Sequence, residues 1–149
     1  MQAVSRDLIE QIVKQVLAVQ FGEQSDPNRS VDPSGVIAVR GSKIKLEPFD
    51  TGKPGDKVWL ADIYTVDENP RLGAGFMEMD HTTFEWTLNY DEIDYIIDGT
   101  LEIIVDGRAT VGHAGDVIMI PKGSRIKFST PSTCRFLYTV YPANWEEQA

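Results

Sequence analysis

Hydrophobic positions along this chain follow two different periods. From Val4 to Phe21, Leu8, Ile9, Ile12, Val13, Val16 and Leu17 recur at steps of three and four, with Arg6, Asp7, Glu10, Gln11, Lys14 and Gln15 between them. That spacing predicts an amphipathic helix. Ser5 suits its N-cap, Asp7 suits the positive end of its dipole, and Gly22 is a natural stop. From Val36 onward the period shortens to two and the chain reads as β throughout. Strands are predicted at Val36–Arg40, Lys43–Leu46, Val58–Tyr64, Ala74–Met79, Phe84–Leu88, Ile93–Asp98, Leu101–Asp106, Ala109–His113, Val117–Ile120, Arg125–Ser129 and Cys134–Tyr141. Turn signals separate them at Arg40-Gly41, Asp50-Thr51-Gly52, Pro54-Gly55, Asn69-Pro70, Gly99, Asp106-Gly107 and Thr130-Pro131-Ser132. A short helical turn is expected over Ala143 to Glu147. Many short strands at near-regular spacing imply a sandwich or barrel.

Between the two periods lies Gly22 to Gly35, whose only large apolar residue is Val31. Its prolines and polar residues read as a linker. The expected organisation is therefore a helix over 1–21, a linker over 22–35 and a β domain over 36–149. The helix stripe has two readings. It packs on its own domain or on its twin in a dimer, or it docks into a groove on another protein. The stripe is too short and too interrupted for a membrane span, and it lacks the flanks of a signal peptide.

The chain has 149 residues, about one domain's worth, and a net charge of −9 from 23 acids and 14 bases. That balance argues against nucleic acid and against an anionic membrane surface as partners. The single cysteine, Cys134, permits no intrachain disulfide, fits a reducing cytoplasmic compartment, and reads as a buried inert thiol. No GxxxxGK[ST], GxGxxG or GxSxG motif occurs, so no standard phosphate loop or nucleophile elbow is present. With two histidines, His81 and His113, an N/S metal site is hard to assemble, and both read as surface or hinge residues.

What remains is acid. Glu78, Asp80, Glu85, Asp91, Glu92, Asp94 and Asp98 crowd into about twenty residues. Glu92 and Asp94 are two apart on a predicted strand and share a face, with Ile96 following them; Ile93, Tyr95 and Ile97 take the other. Two carboxylates aimed into a barrel repel, which raises the pKa of one. Trp86 and Tyr90 lie just upstream. Such a group suits proton transfer, or capture of Mg²⁺ or an ammonium group; the competing reading is a solvated polar face.

Two motifs then become specific. Glu92-x₆-Gly99 and Gly115-x₅-Pro121-x-Gly123 resemble halves of the two cupin motifs, and the resemblance spans Val36 to Tyr141. Cupins are antiparallel jelly-roll barrels, often dimeric. In metal-binding cupins an HxH pair precedes the glutamate, and a third histidine follows PxG. Those positions are Trp86, Leu88 and Ile126 here, and only Glu92 matches, so the histidine-type site does not carry over. The strings Phe84–Glu92, Gly115–Gly123 and Pro142-Ala143-Asn144-Trp145 resemble the EutQ family, ethanolamine-utilisation proteins of bacterial microcompartments.

That resemblance implies acetate kinase activity, making acetyl phosphate from acetate and ATP, with a location inside a bacterial microcompartment. It also likens the Val4–Phe21 helix to the encapsulation peptides that dock cargo onto shell proteins. On this reading Tyr90, Glu92, Asp94 and Glu78 are catalytic and Trp86 binds substrate. Glu92 and Asp94, with Glu78, hold Mg²⁺ partly through water, and the positive charge comes from Lys43, Lys45, Lys57, Arg125 or Lys127. The alternative is a non-catalytic homodimer whose barrel binds a small ligand and whose helix organises cargo.

Overall fold

The computed structural model describes residues 5–21 and 26–148, with the backbone alone for 17–21. It divides into two compact units, 1–40 and 41–149.

In the first unit, α1 (Arg6–Phe21) forms as the stripe predicts. Ser5 caps it, its Oγ accepting from Leu8 N at 3.2 Å and its carbonyl accepting from Ile9 N at 3.1 Å. Val4, Gly22 and residues 23–25 lie outside the described part. The stretch expected to be a bare linker instead carries a strand, β1 (Arg29–Val31), paired antiparallel with β2 (Ile37–Val39). The polar turn between them is what makes this hairpin. Asp32 carboxylate accepts from Ser34 N at 2.8 Å, and Asp32 carbonyl accepts from Gly35 N, where φ is +92°.

The second unit is one seven-stranded antiparallel sheet wrapped about a single apolar core. Its strands are β3 (Glu47–Pro48), β4 (Val58–Asp62), β5 (Gly73–Thr87), β6 (Asp91–Val105), β7 (Arg108–His113), β8 (Val117–Ile120) and β9 (Arg125–Tyr141). The order is β3-β4-β5-β9-β6-β7, with β8 pairing the first half of β6. The last strand in sequence thus occupies the middle. A 3-10 turn, Trp145–Gln148, follows it, as the helical turn was expected to.

Three pairs of predicted strands are single long strands. Ala74–Met79 and Phe84–Leu88 join through a bulge at His81, whose φ is +42°. Arg125–Ser129 and Cys134–Tyr141 join without a reversal at Thr130-Pro131-Ser132. Gly99 does not reverse the chain either. Its neighbours Asp98 and Glu102 both stay paired with β9, and Gly99 bends the strand at φ +75°. A side chain is excluded there, since a Cβ would lie 1.8 Å from the Thr133 carbonyl oxygen. Lys43–Leu46 is not a strand: Gly41–Lys43 is a 3-10 turn, and pairing begins only at Glu47.

Candidate functional site

The start of β6 is buried on alternate residues. Glu92 (5% exposed), Asp94 (0%) and Ile96 (0%) point inward, while Ile93, Tyr95 and Ile97 face out at 49, 45 and 40%. Ile120 on β8 and Val140 on β9 flank Glu92 on either side. The bend that delivers Tyr90 is tied down. Leu88 N donates to Ser124 O at 2.9 Å, Gly123 N donates to Leu88 O at 2.7 Å, and Lys122 N donates to the Asp91 carboxylate at 2.9 Å. The Pro121-Lys122-Gly123 corner thus sets the depth at which Tyr90 enters the core.

Glu92 opens into a narrow cavity of about 20 Å³. Seven aromatic side chains wall it: Phe49, Phe84, Trp86, Tyr90, Phe128, Tyr138 and Trp145. Phe84 and Phe128 stack, and the other rings meet at steeper angles. Ring centroids are 5.6 Å apart for Phe49 and Trp86, 6.3 Å for Trp86 and Trp145, and 5.8 Å for Tyr90 and Trp145. Trp86 Nε1 donates to the Tyr90 hydroxyl at 2.8 Å. On the far wall, the Tyr138 hydroxyl donates to Asp62 at 2.7 Å, and Trp145 Nε1 reaches the same oxygen at 3.3 Å. Tyr138 has room because residue 75 is glycine; a Cβ there would meet its hydroxyl at 2.1 Å. Among the described residues lining the cavity there is no Lys, Arg or His.

Burial raises Glu92, Asp94, Tyr90 and Tyr138 in this setting. Burial pushes the Glu92 carboxyl up to about 7, against the lowering influence of Asp94 and Tyr90 beside it. Asp94 is raised well above the usual range, first by burial and then by the charge and hydrogen bonding of the adjacent Glu92. The Tyr90 and Tyr138 hydroxyls are raised too, burial being the main cause in both.

The structure brings together four of the five predicted site residues. Trp86, Tyr90 and Glu92 line the cavity, and Asp94 lies behind Glu92 on the same inward face of β6. Glu78 is not with them. It alternates with the core residues Met77 and Met79, faces outward, and forms an ion pair with Arg135, whose Nη2 also donates to Gly41 O at 3.0 Å. Among the described residues, no group of three or more His, Cys, Asp or Glu is placed to hold a metal ion. At the cupin histidine positions, Leu88 and Ile126 are core residues and Trp86 is cavity wall. His81 and His113 are exposed. Five aromatic wall residues escaped the sequence reading as site residues. Phe49, Phe128 and Tyr138 gave no signal, and Phe84 and Trp145 stood out only within family-like strings.

Phe84 and Trp86 also border two surface depressions. One holds Lys53 and Lys127, the other Arg125 and Lys127. Lys45 and Lys57 lie in separate pairs with Glu47 and Asp80.

The sequence model of the family described as "Ethanolamine utilisation protein EutQ" matches residues 4–147. The chain belongs to the EutQ family. It is 46% identical over 151 residues to "Acetate kinase EutQ" of Clostridioides difficile, covering 97% of this chain and 96% of that protein. The solved structure of the Clostridium difficile EutQ protein superposes with a TM-score of 0.79 at 52% identity, over 81% of this chain and 90% of that one. The Cnp3 cupin domain of Schizosaccharomyces pombe (TM-score 0.57, 17% identity, 76% of this chain and 81% of that one) shares the fold alone. The second unit of this EutQ-family chain is thus a cupin jelly roll, and no described helix is long and apolar enough to cross a membrane.

Proposed function

We propose that this EutQ-family protein is an acetate kinase that seats acetate in the aromatic cavity of its cupin unit. The observation that carries this reading is Glu92, a nearly buried carboxyl lining an apolar cavity beside the Tyr90 hydroxyl. A protonated Glu92 donates one hydrogen bond to the acetate carboxylate. Tyr90, whose oxygen already accepts from Trp86, donates a second. The acetate methyl group packs against Trp86 and Trp145. A neutral floor suits an anion where two ionised acids would repel it.

ATP, carrying its own Mg²⁺, is the second substrate. Its phosphates fit the depressions bordered by Phe84 and Trp86, where Lys53, Lys127 and Arg125 supply positive charge. Acetate oxygen bonds to the γ-phosphorus as the bond from that phosphorus to the bridging oxygen breaks, and ADP leaves. Glu92 and Asp94 are too buried to ligate a metal carried on the nucleotide outside the cavity, so the protein's part is positioning. The test is acetyl-phosphate formation from acetate and Mg-ATP by wild type and Glu92→Gln. A fall of at least tenfold in kcat/KM for acetate is expected in the folded variant. Equal rates would remove catalysis from this cavity.

A second reading concerns assembly. Ile93, Tyr95 and Ile97 on β6, with Met119 and Val117 paired beside them on β8, form an exposed apolar strip (40–66% exposed). This supports a homodimer closed over that strip. The α1 stripe, with Leu8, Ile9, Ile12, Val13 and Val16 each near half exposed, supports docking to a microcompartment shell protein. Met119→Lys is expected to give a monomer by light scattering. Ile12→Glu is expected to lose co-sedimentation with shell protein while acetate turnover is unchanged.

A further inference from the structure

We infer that the same cavity is also a site for a small alkylammonium ion, which binds against ionised Glu92 and competes with acetate. This goes beyond the kinase reading and does not depend on it. Seven aromatic residues line one small space. Two of them are indoles, the strongest partners for a cation among aromatic side chains. Phe49, Trp86 and Trp145 meet at steep angles, 64° between Phe49 and Trp86 and 61° between Trp86 and Trp145, while Phe84 and Phe128 stack at 30°. At the floor sits a carboxyl 95% shielded from solvent, with the fully buried Asp94 carboxyl behind it.

Every titratable group facing Glu92 belongs to an acid, phenol or thiol. Asp94 shares its strand and Tyr90 precedes it. Tyr138 approaches from β9, the Cys134 thiol of the same strand interacts with Asp94, and Asp62 from β4 bonds Tyr138. Phe84, Trp86 and Met77 from β5, Ile118 and Ile120 from β8, and Trp145 add no charge. Among the described residues, no cation inside the cavity answers a carboxylate at Glu92. A primary ammonium group supplies one, donating to Glu92 while its alkyl part takes the apolar wall. A rigid cage with a single carboxylate is a recognised way to hold an organic cation, and it excludes a nucleotide from the same space.

Bound acetate needs Glu92 protonated, and a bound ammonium needs it ionised. The two ligands thus respond oppositely to pH. With the Glu92 carboxyl titrating at about 7, ammonium affinity is expected to be about tenfold higher at pH 8 than at pH 6, with a proton released on binding at pH 6.

The experiment is isothermal titration calorimetry of the full chain with ethylammonium chloride, without ATP or acetate, at pH 6 and pH 8. Potassium chloride and 1-propanol are the controls. Binding that tightens at pH 8, is absent with both controls and is lost in Glu92→Gln supports the site. If that variant does not fold, Trp86→Leu is read instead, with at least a fivefold loss expected. No binding at either pH, affinity indifferent to pH, equal binding of 1-propanol, or full affinity in Trp86→Leu overturns it. Because neither acetate nor nucleotide is present, an absence of kinase activity leaves this outcome readable, and a failure here leaves the kinase assay readable.

Discussion

Replacing Glu92 by Gln should make the protein more stable at neutral pH and should flatten its stability profile below it. The ordinary value for this carboxyl is 4.5, and burial raises it to about 7 in the folded protein. The folded state therefore holds the proton more tightly than the unfolded chain. The stabilisation that this gives is complete below about 4.5 and is lost as pH rises through about 7. At about 1.4 kcal/mol for each factor of ten, the loss between those limits is about 3 kcal/mol. That is a large part of the roughly 5–15 kcal/mol that holds an ordinary domain together.

Glutamine keeps the shape and cannot ionise, so the variant lacks this slope; removing the Glu92 charge also lets Asp94 fall back towards its ordinary range, which moves the difference in the same direction. Urea unfolding at half-unit steps from pH 4.5 to pH 8 measures the difference. With a slope of ~1–3 kcal/mol per molar urea, the gap between the two midpoints should widen by about 1–3 M across the range, the variant gaining. Parallel profiles would refute the reasoning, because they would mean that Glu92 ionises in the folded chain as readily as in water. A profile in which the wild type gains relative to the variant as pH rises would reverse its sign.

Three further outcomes follow from the geometry. Gly75→Ala should lower stability by about 1–3 kcal/mol in a thermal melt, because the new Cβ falls 2.1 Å from the Tyr138 hydroxyl and 2.5 Å from the Ala61 carbonyl oxygen. The Cys134 thiol, pushed up to about 12 mainly by burial, should resist DTNB in the native protein at pH 8 and react fully in denaturant. Tyr90→Phe should raise KM for acetate about tenfold with a smaller change in kcat, since it removes one hydrogen bond to bound substrate and frees the Trp86 indole N–H.

The inward face of β6 was legible because a strand's period is two, and Glu92, Asp94 and Ile96 hold that period without a break. The same rule applied along β5 would have sent Glu78 outward, between Met77 and Met79. It was grouped with the site because seven acids lie close in sequence, and proximity along the chain says nothing about which face a residue takes. The aromatic cage was mostly hidden for a different reason. Phe49 enters from the loop before β4, Tyr138 from β9 and Trp145 from the final 3-10 turn, so only the folded sheet makes them neighbours. Gly99 and the His81 bulge misled in the opposite way. Turn-forming residues mark places where a strand bends as well as places where it ends, and local chemistry does not distinguish the two. The Asp32 turn shows the converse: a stretch poor in apolar residues still closes a hairpin when its side chains bond its own backbone.

The position of β9 sets the order in which the cupin unit can be made. On the ribosome, β5 and β6 emerge first, each about fifteen residues long, and each lacks the strand that separates them in the finished sheet. Until Tyr141 clears the exit tunnel, both carry long unpaired edges, the surface most prone to pairing with another nascent chain. The sheet cannot zip up from its N-terminal side, and its completion is a single late insertion of β9 between two waiting edges. Synthesis speed and chaperone capture before that moment, more than the final stability of the fold, should govern how much of this protein a cell recovers in usable form.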